Sequence, residues 1–478
     1  RTGGTSNSIG GKETTGELAR SWKTDLGTKL TPPVAADERV FVAATEKHTL
    51  HALDARTGER VWRFTADGRI DSPPSFDRGM LLFGCADGYL YCVAADDGQL
   101  AWRRRIAPAE RWMAVDGQLE SVWRLHGSVL VHEGLAYCCA GRSTFLDGGL
   151  YLAAVDIASG EVKHRARVST ETPTRVDREG KDFVPAYHIE GAHSDVLVAE
   201  NGMIYLNQME FSPDLKLQPT RYLTKEQVTA RPSMNLDNQP FVNEDIFNVK
   251  WRDKTWSTYD ELAGILVDEN QSVGEHAFGR HLFTTSGFLD TTYFNRSFWM
   301  YSAVWPGFNH SNLAPKSGQL VVIGPETTYA LNAYTSRYAL SPKLDPETKG
   351  YLLVADANDN DPTLDPRAWG KDKGMGFSRG APPKWHQWLP IRVQAMVLAG
   401  NTLVVCGPPD LVPPADPMAA FEGRLGSRLW TVAASDGTIL GKHELEEMPT
   451  FDGMIVAEDR LFLCTQQGEV ICMQGKGS

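Results

Sequence analysis

The sequence predicts an all-β fold of repeated four-stranded sheets closed into a ring, and three observations predict it. Leu50–Trp62 (LHALDARTGERVW) and Leu90–Trp102 (LYCVAADDGQLAW) carry one pattern forty positions apart: apolar–polar alternation, an Asp, a turn on Gly58 or Gly98, and a Trp four residues after the Gly. Pairs of short apolar strands precede these copies. The C-terminal unit then supplies three strands where the others have four, and a matching fourth lies near the N-terminus. Strand-built repeats of this period indicate a β-propeller, a ring of four-stranded blades around a central channel.

The elements follow in order. Val34–Ala36 with Val40–Val42, Ser75–Phe76 with Met80–Phe83, and Val129–Val131 with Leu135–Tyr137 read as paired strands. They are joined by Asp-Glu, Asp-Arg-Gly and His-Glu-Gly turns. Leu150–Val168 (LYLAAVDIASGEVKHRARV) is a third copy with His164 in the Trp slot, and Leu429–Leu445 a fourth. Met454–Ala457, Leu461–Cys464 and Glu469–Met473 form the last three strands, and Thr15–Trp22 resembles the missing outer one. A strand at residues 17–27 therefore closes the ring and removes two free sheet edges.

The predicted architecture is a single propeller domain over residues 1–478. It has seven blades at about 28–66, 70–106, 122–168, 192–304, 317–390, 393–446 and 450–474, the last completed by the N-terminal strand. In blade four, Met203–Leu206 is followed by a long irregular stretch before His281–Phe283. Residues 212–278 read as an insertion with a short helix at Thr258–Val267. Eight blades is the alternative count, reached if that insertion hides strands.

Composition narrows the classes. The 478 residues are 42% hydrophobic and 23% charged, ordinary for a globular protein. The net charge of −12 argues against nonspecific nucleic-acid binding. No apolar run of transmembrane length occurs. The chain opens at Arg1 without a signal peptide and is read as a processed product or a piece of a longer polypeptide. Seven cysteines without a CxxC make a poor disulfide framework. Cys138, Cys406 and Cys464 fall in one slot of the second strand, filled by Gly84 in blade two, which points to core packing.

The pattern at Ala52, Asp54, Thr57, Gly58 and Trp62 resembles the tryptophan-docking repeat of quinoprotein (PQQ) dehydrogenases. PQQ-like propellers that bind no quinone share it, including the propeller lipoprotein of the outer-membrane assembly machine. Gly141–Gly149 and Lys316–Leu320 further resemble bacterial PQQ-like repeat proteins that are often secreted or parts of large multidomain chains. The resemblance implies a periplasmic or extracellular location. Within it, the Trp reports cohesion between blades and not a cofactor. Quinoprotein dehydrogenases carry a vicinal Cys pair against the quinone, and Cys138-Cys139 invites the comparison. Here the pair ends a strand, and no calcium set beside a catalytic Asp can be placed, so PQQ binding is disfavoured.

A ligand site is expected at one mouth of the channel. The position three residues before each inner strand holds Asp71, His126, His193 and Lys316 in consecutive blades, with Asp195, Arg392 and Asp452 as neighbours. Convergent groups of this kind suit a small anionic or sugar-like ligand. Solvated polar residues are the plainer reading of each one alone. Arg142 and Asp147 interrupt blade three, and a second Phe-Leu-Asp ends at Asp290. Asp356, Asn358 and Asn360 lie in an oxygen-rich segment that resembles a Ca²⁺ loop without the Gly and closing Glu of an EF-hand. A polar turn is favoured there, with Ca²⁺ the alternative. Aromatics crowd at Trp251, Trp256 and Tyr259 and again from Tyr293 to Phe308, a surface suited to carbohydrate or protein.

The favoured function is a noncatalytic binding or assembly module in a larger extracytoplasmic protein or complex, with a protein partner and no confident cofactor. The alternative is an enzyme acting on a small polar or sugar-like substrate, with the His126/His193 region as acid–base. A PQQ-dependent dehydrogenase is the third and weakest option. No P-loop, HExxH or paired-carboxylate motif points to a reaction.

Overall fold

A computed structural model describes residues 6–7, 18–27, 29–144, 146–169, 175–176, 182–183, 196–207, 209–218, 221–222, 276–284, 299–304, 314–332, 350–364, 377–379 and 381–475. The fold is all-β with eight blades in a ring. Blade one is Val34–Ala36, Arg39–Ala44, Thr49–Asp54 and Arg60–Thr65. Blade two is Ser75–Asp77, Met80–Gly84, Tyr89–Ala94 and Leu100–Arg105. Blade three is Leu130–His132, Leu135–Ala140, Leu150–Asp156 and Val162–Val168. Blade six is Leu320–Ile323, Thr327–Asn332, Tyr351–Ala357 and Trp385–Leu389. Blade seven is Ala395–Ala399, Thr402–Gly407, Ser427–Ala433 and Ile439–Leu445.

The count of eight replaces the favoured count of seven. The segment read as one blade at 192–304 holds one sheet and three strands of a second. One is the three-stranded Leu197–Glu200, Met203–Leu206 and Met209–Phe211. The other is Arg221–Tyr222, His276–Thr284, Trp299–Val304 and Ser317–Gly318. Strands do lie within 212–278, at Arg221–Tyr222 and from His276. They escape periodicity because long segments separate them. The expected helix at Thr258–Val267 and the aromatics Trp251, Trp256 and Tyr259 lie outside the described residues.

Ring closure follows the expectation. Leu18–Asp25 pairs with Glu469–Gly475, and the sheet continues through Arg460–Thr465 to Pro449–Ala457. The first strands of blades one to four touch in succession around the channel, as do those of blades six, seven and eight, and that of blade eight returns to blade one. Blade five meets blade four through His276–Thr284 and blade six through Trp299–Val304 and Ser317–Gly318. Ser6–Asn7 adds a parallel pairing to Val397–Leu398 of blade seven.

Tight turns set the registers. Asp37 and Glu38, Arg78 and Gly79, and Glu133 and Gly134 all have positive φ, as two-residue turns between right-twisted strands require. Between blades, Trp62 donates its indole N–H to the Ala95 carbonyl at 2.8 Å and lies over Gly98, where a Cβ would sit 2.6 Å from the ring. Trp102 repeats this on Ile157 and Gly160, Trp22 on Ala55 and Gly58, and Trp385 on Ala434 and Gly437. The glycine is thus required twice, by its positive φ and by the ring above it.

The core lies between blades. Leu82, Cys92, Ala136 and Val155 pack blade two on blade three, and Val40, Leu53, Phe462 and Cys464 pack blade eight on blade one. All seven cysteines are free and buried. The register corrects one equivalence. Cys139, not Cys138, faces Leu152 as Cys406 faces Leu429 and Gly84 faces Leu90. A one-residue offset changes the face, so Cys138 packs toward blade two and Cys139 toward blade four.

Candidate functional site at the connection face

Antiparallel blades put the second-to-third turns and the blade-to-blade connections at one end of the ring. Several expected site residues therefore share a face, but each is claimed by a local partner. Asp71 accepts from Arg69 Nε at 2.7 Å, and Arg69 also bridges to Glu120, which Arg124 holds at 3.2 Å. His126 Nε2 lies 3.2 Å from the Gly141 carbonyl. Arg142 pairs with Asp147, whose other oxygen is 3.2 Å from Arg111. Arg392 Nε donates to Asp410 at 2.9 Å. Asp452 is buried within the strand Pro449–Ala457, with positive φ where the register shifts, and its N–H is bonded to the Gln394 carbonyl. The structure thus brings Arg142 and Asp147 together and ties Asp71 to Arg69. His193, Asp195 and Asp290 lie outside the described residues.

Lys316 departs from the aligned ring. Its side chain is fully buried, and Nζ donates to the Asn358 carbonyl at 2.6 Å and to Asp361 at 2.8 Å. Arg280 bonds the other Asp361 oxygen at 2.7 Å. Burial pushes the Asp361 carboxyl up, but the Arg280 bond and the Lys316 charge outweigh it and hold the pKa below the usual carboxylate value. Tyr301 sits under the Lys316 ammonium and donates to Glu200 at 2.8 Å. Burial raises the Glu200 carboxyl despite that bond. The cluster links blades four, five and six.

The oxygen-rich segment feeds the same cluster. Asn358 Oδ1 accepts from Thr328, and Asn360 Oδ1 from the Ala381 N–H. Asp356 accepts from Asn360 at 3.0 Å and from the Lys316 N–H at 3.1 Å. These oxygens are directed at N–H and O–H donors, and a buried ammonium adjoins them. The segment is a polar turn in this structure, and the described residues hold no group of three or more His, Cys, Asp or Glu placed to bind a metal ion. The Cys138-Cys139 pair does not fit a quinone face, because its two side chains enter separate cores.

One titrating group is placed to be felt in stability. His51 is 5% exposed, neither ring nitrogen has a hydrogen-bond partner, and burial with the nearby Arg60, Arg63 and Lys47 charges lowers its pKa to about 4. A depressed histidine contributes stability that is complete above its unfolded pKa of about 6.5 and is lost as pH falls toward 4. The expected loss is about 2 kcal/mol by pH 5. Urea unfolding at pH 7.5 and pH 5 checks it: His51→Leu should lose about that much less than wild type, and parallel losses would refute the assignment.

Sequence reasoning missed what this face exposes. The hairpin Trp112–Val115/Gln118–Ser121, within the connection from blade two to blade three, leaves Trp112 and Leu119 in solvent. Leu146 is exposed on the blade-three loop, and Leu411, Met418, Phe421 and Leu425 on the blade-seven loop, with Phe451 at the entry to blade eight. The other exposed large apolar residues among those described are Val61, Leu100 and Leu440, scattered on outer strands. Unpatterned apolar residues in loops were the available signal.

Residues 12–208 match the family model described as outer membrane protein assembly factor BamB. BamB of Burkholderia pseudomallei (strain K96243) is 29% identical over 89 residues, 18% of this chain and 23% of that protein. The dehydrogenase subunit of quinone alcohol dehydrogenase from Acetobacter aceti is 26% identical over 172 residues, 34% of this chain and 22% of that protein. The chain thus matches less than a quarter of the length of these relatives. Among solved structures, quinohemoprotein alcohol dehydrogenase from Comamonas testosteroni superposes with a TM-score of 0.48 at 13% identity, covering 96% of this chain and 77% of that one. BamB from Moraxella catarrhalis gives 0.36 at 10% identity, covering 97% and 99%.

Proposed function

We propose that this chain, a member of the PQQ-like β-propeller repeat family, is a binding or assembly module that docks another polypeptide on its connection face. The observation that carries the reading is the concentration of exposed apolar side chains there: Trp112, Leu119, Leu146, Met418, Phe421 and Phe451. Exposed apolar side chains gathered on one face mark contact sites, and aromatic anchors dominate such contacts. The polar groups of the same face support it from the other side. Asp71, Asp147 and Arg392 are each held in an ion pair, which fixes the shape of the loops that carry the apolar residues. An assembly role in a larger extracytoplasmic protein or complex, in the periplasm or outside the cell, belongs to this reading.

The test is native mass spectrometry on protein purified from its source, followed by affinity measurement with the co-purifying polypeptide. Trp112→Ser and Phe421→Ser should each weaken binding at least tenfold, about 1.4 kcal/mol or more, with unchanged melting temperature. Leu440→Ser, on an outer strand, should not. A stoichiometric small molecule with no polypeptide partner would instead favour an enzyme acting on a polar or sugar-like substrate. Binding unaffected by both loop variants would sink the proposed face.

A further inference from the structure

The outer rim between blades two and three carries a second site, and it is cationic on an acidic chain. A cavity of about 490 Å³ is lined by Arg103, Arg104, Arg105 and Arg165, with Tyr89 in its wall. A cation directly after the Trp slot of the outermost strand is a repeat feature. Arg63, Arg103, Arg165 and Lys442 occupy it in blades one, two, three and seven, facing His51, Tyr91, Ala153 and Trp430 on the neighbouring strand. Alone, each such cation is a solvated rim residue.

Blades two and three differ in what surrounds that position. Arg104 lies on the same face of its strand as Trp102 and reaches blade three, where its Nε donates to the Gly160 carbonyl at 2.7 Å. Arg165 lies in one row with Cys138 and Ala153, which pack against blade two, so it approaches from the opposite wall. Arg103 and Arg105 pair with Asp67 and Glu110, two carboxylates about two-thirds exposed and therefore weak compensation. Arg104 meets only a neutral carbonyl, and Arg165 has no hydrogen-bond or ion-pair partner among the described residues. Two guanidinium groups of this cavity thus lack a carboxylate partner among the described residues, on a chain of net charge −12.

We propose that this cavity binds a phosphoryl-type oxyanion, held by the forks of Arg104 and Arg165. Planar guanidinium forks match a tetrahedral oxyanion bidentately, and the volume admits a phosphoryl group with part of the molecule that bears it. The bearer is either a soluble phosphate ester or an anionic lipid headgroup, the two sharing one recognition chemistry. The site is built on the outermost strands of blades two and three, with Ala107 and Pro108 of the connection completing its lining, and its anion chemistry does not depend on the docking role.

Calorimetric titration of the full chain with inorganic pyrophosphate in low salt tests it. Saturable binding is expected, weakened at least tenfold by Arg165→Gln, with unchanged melting and with Lys442→Gln as wild type. Arg104→Gln should act alike. Should losing its bond to Gly160 disturb folding, Arg165→Gln decides, since that side chain has no hydrogen-bond or ion-pair partner among the described residues. Sedimentation with phosphatidylglycerol vesicles, lost in Arg165→Gln, would identify a headgroup as the bearer. Pyrophosphate binding without sedimentation would identify a soluble ester. No saturable binding, or an equal loss in Lys442→Gln, would overturn the site.

Discussion

Asp361→Ala is expected to destabilise the protein by about 3–5 kcal/mol, the usual cost of stranding a buried charge. Asp361 accepts from both Lys316 and Arg280, and Lys316 has no exposed side-chain surface. Without the carboxylate, the ammonium keeps only the Asn358 carbonyl at close range. Lys316→Met should cost less, because Arg280 still compensates Asp361. The pair should be strongly non-additive: Asp361→Ala with Lys316→Met should recover part of the single loss, since no buried ammonium then lacks its counter-charge. Chemical unfolding of the three variants measures this. A loss below about 1 kcal/mol for Asp361→Ala would mean that water already reaches the cluster.

The second large effect belongs to the junction of blades one and two. Trp62→Ala should cost about 3–5 kcal/mol, since it removes a buried indole, its bond to Ala95 and the lid over Gly98. Gly98→Ala attacks the same contact from below: the residue sits at φ 73° and its new Cβ would meet the Trp62 ring at 2.6 Å. Because both variants break one contact, their combination should cost clearly less than the sum. Additive losses would show that the ring junction does not depend on this stack.

Particular residues show how far the sequence reached. Asp54, Gly58 and Trp62 were legible because each blade solves one local problem: an Asp-capped turn, a glycine at positive φ, and a Trp seated on the next blade's equivalent glycine. Such contacts recur at fixed spacing, so spacing alone reveals them. The additional blade, blade five, was not legible, because its strands at Arg221–Tyr222 and His276–Thr284 are separated by more chain than a whole repeat. The exchange of Cys138 for Cys139 had a similar origin: only the strand register, not the order of residues, decides which face a side chain takes.

The candidate site divides in the same way. By itself the sequence determined that Asp71, His126, Arg142, Asp147 and Arg392 lie on the connection side of their strands, since strand order fixes the end at which a loop emerges. Only the tertiary structure decided that Asp71 belongs to Arg69, Arg392 to Asp410 and Lys316 to a buried cluster spanning three blades. It also decided that the exposed apolar residues gather on one face and that the run Arg103-Arg104-Arg105 meets Arg165 across a groove. The physical reason is that repeat periodicity encodes contacts each blade makes identically. A charge chooses its partner among groups that the closing of the ring brings close in space.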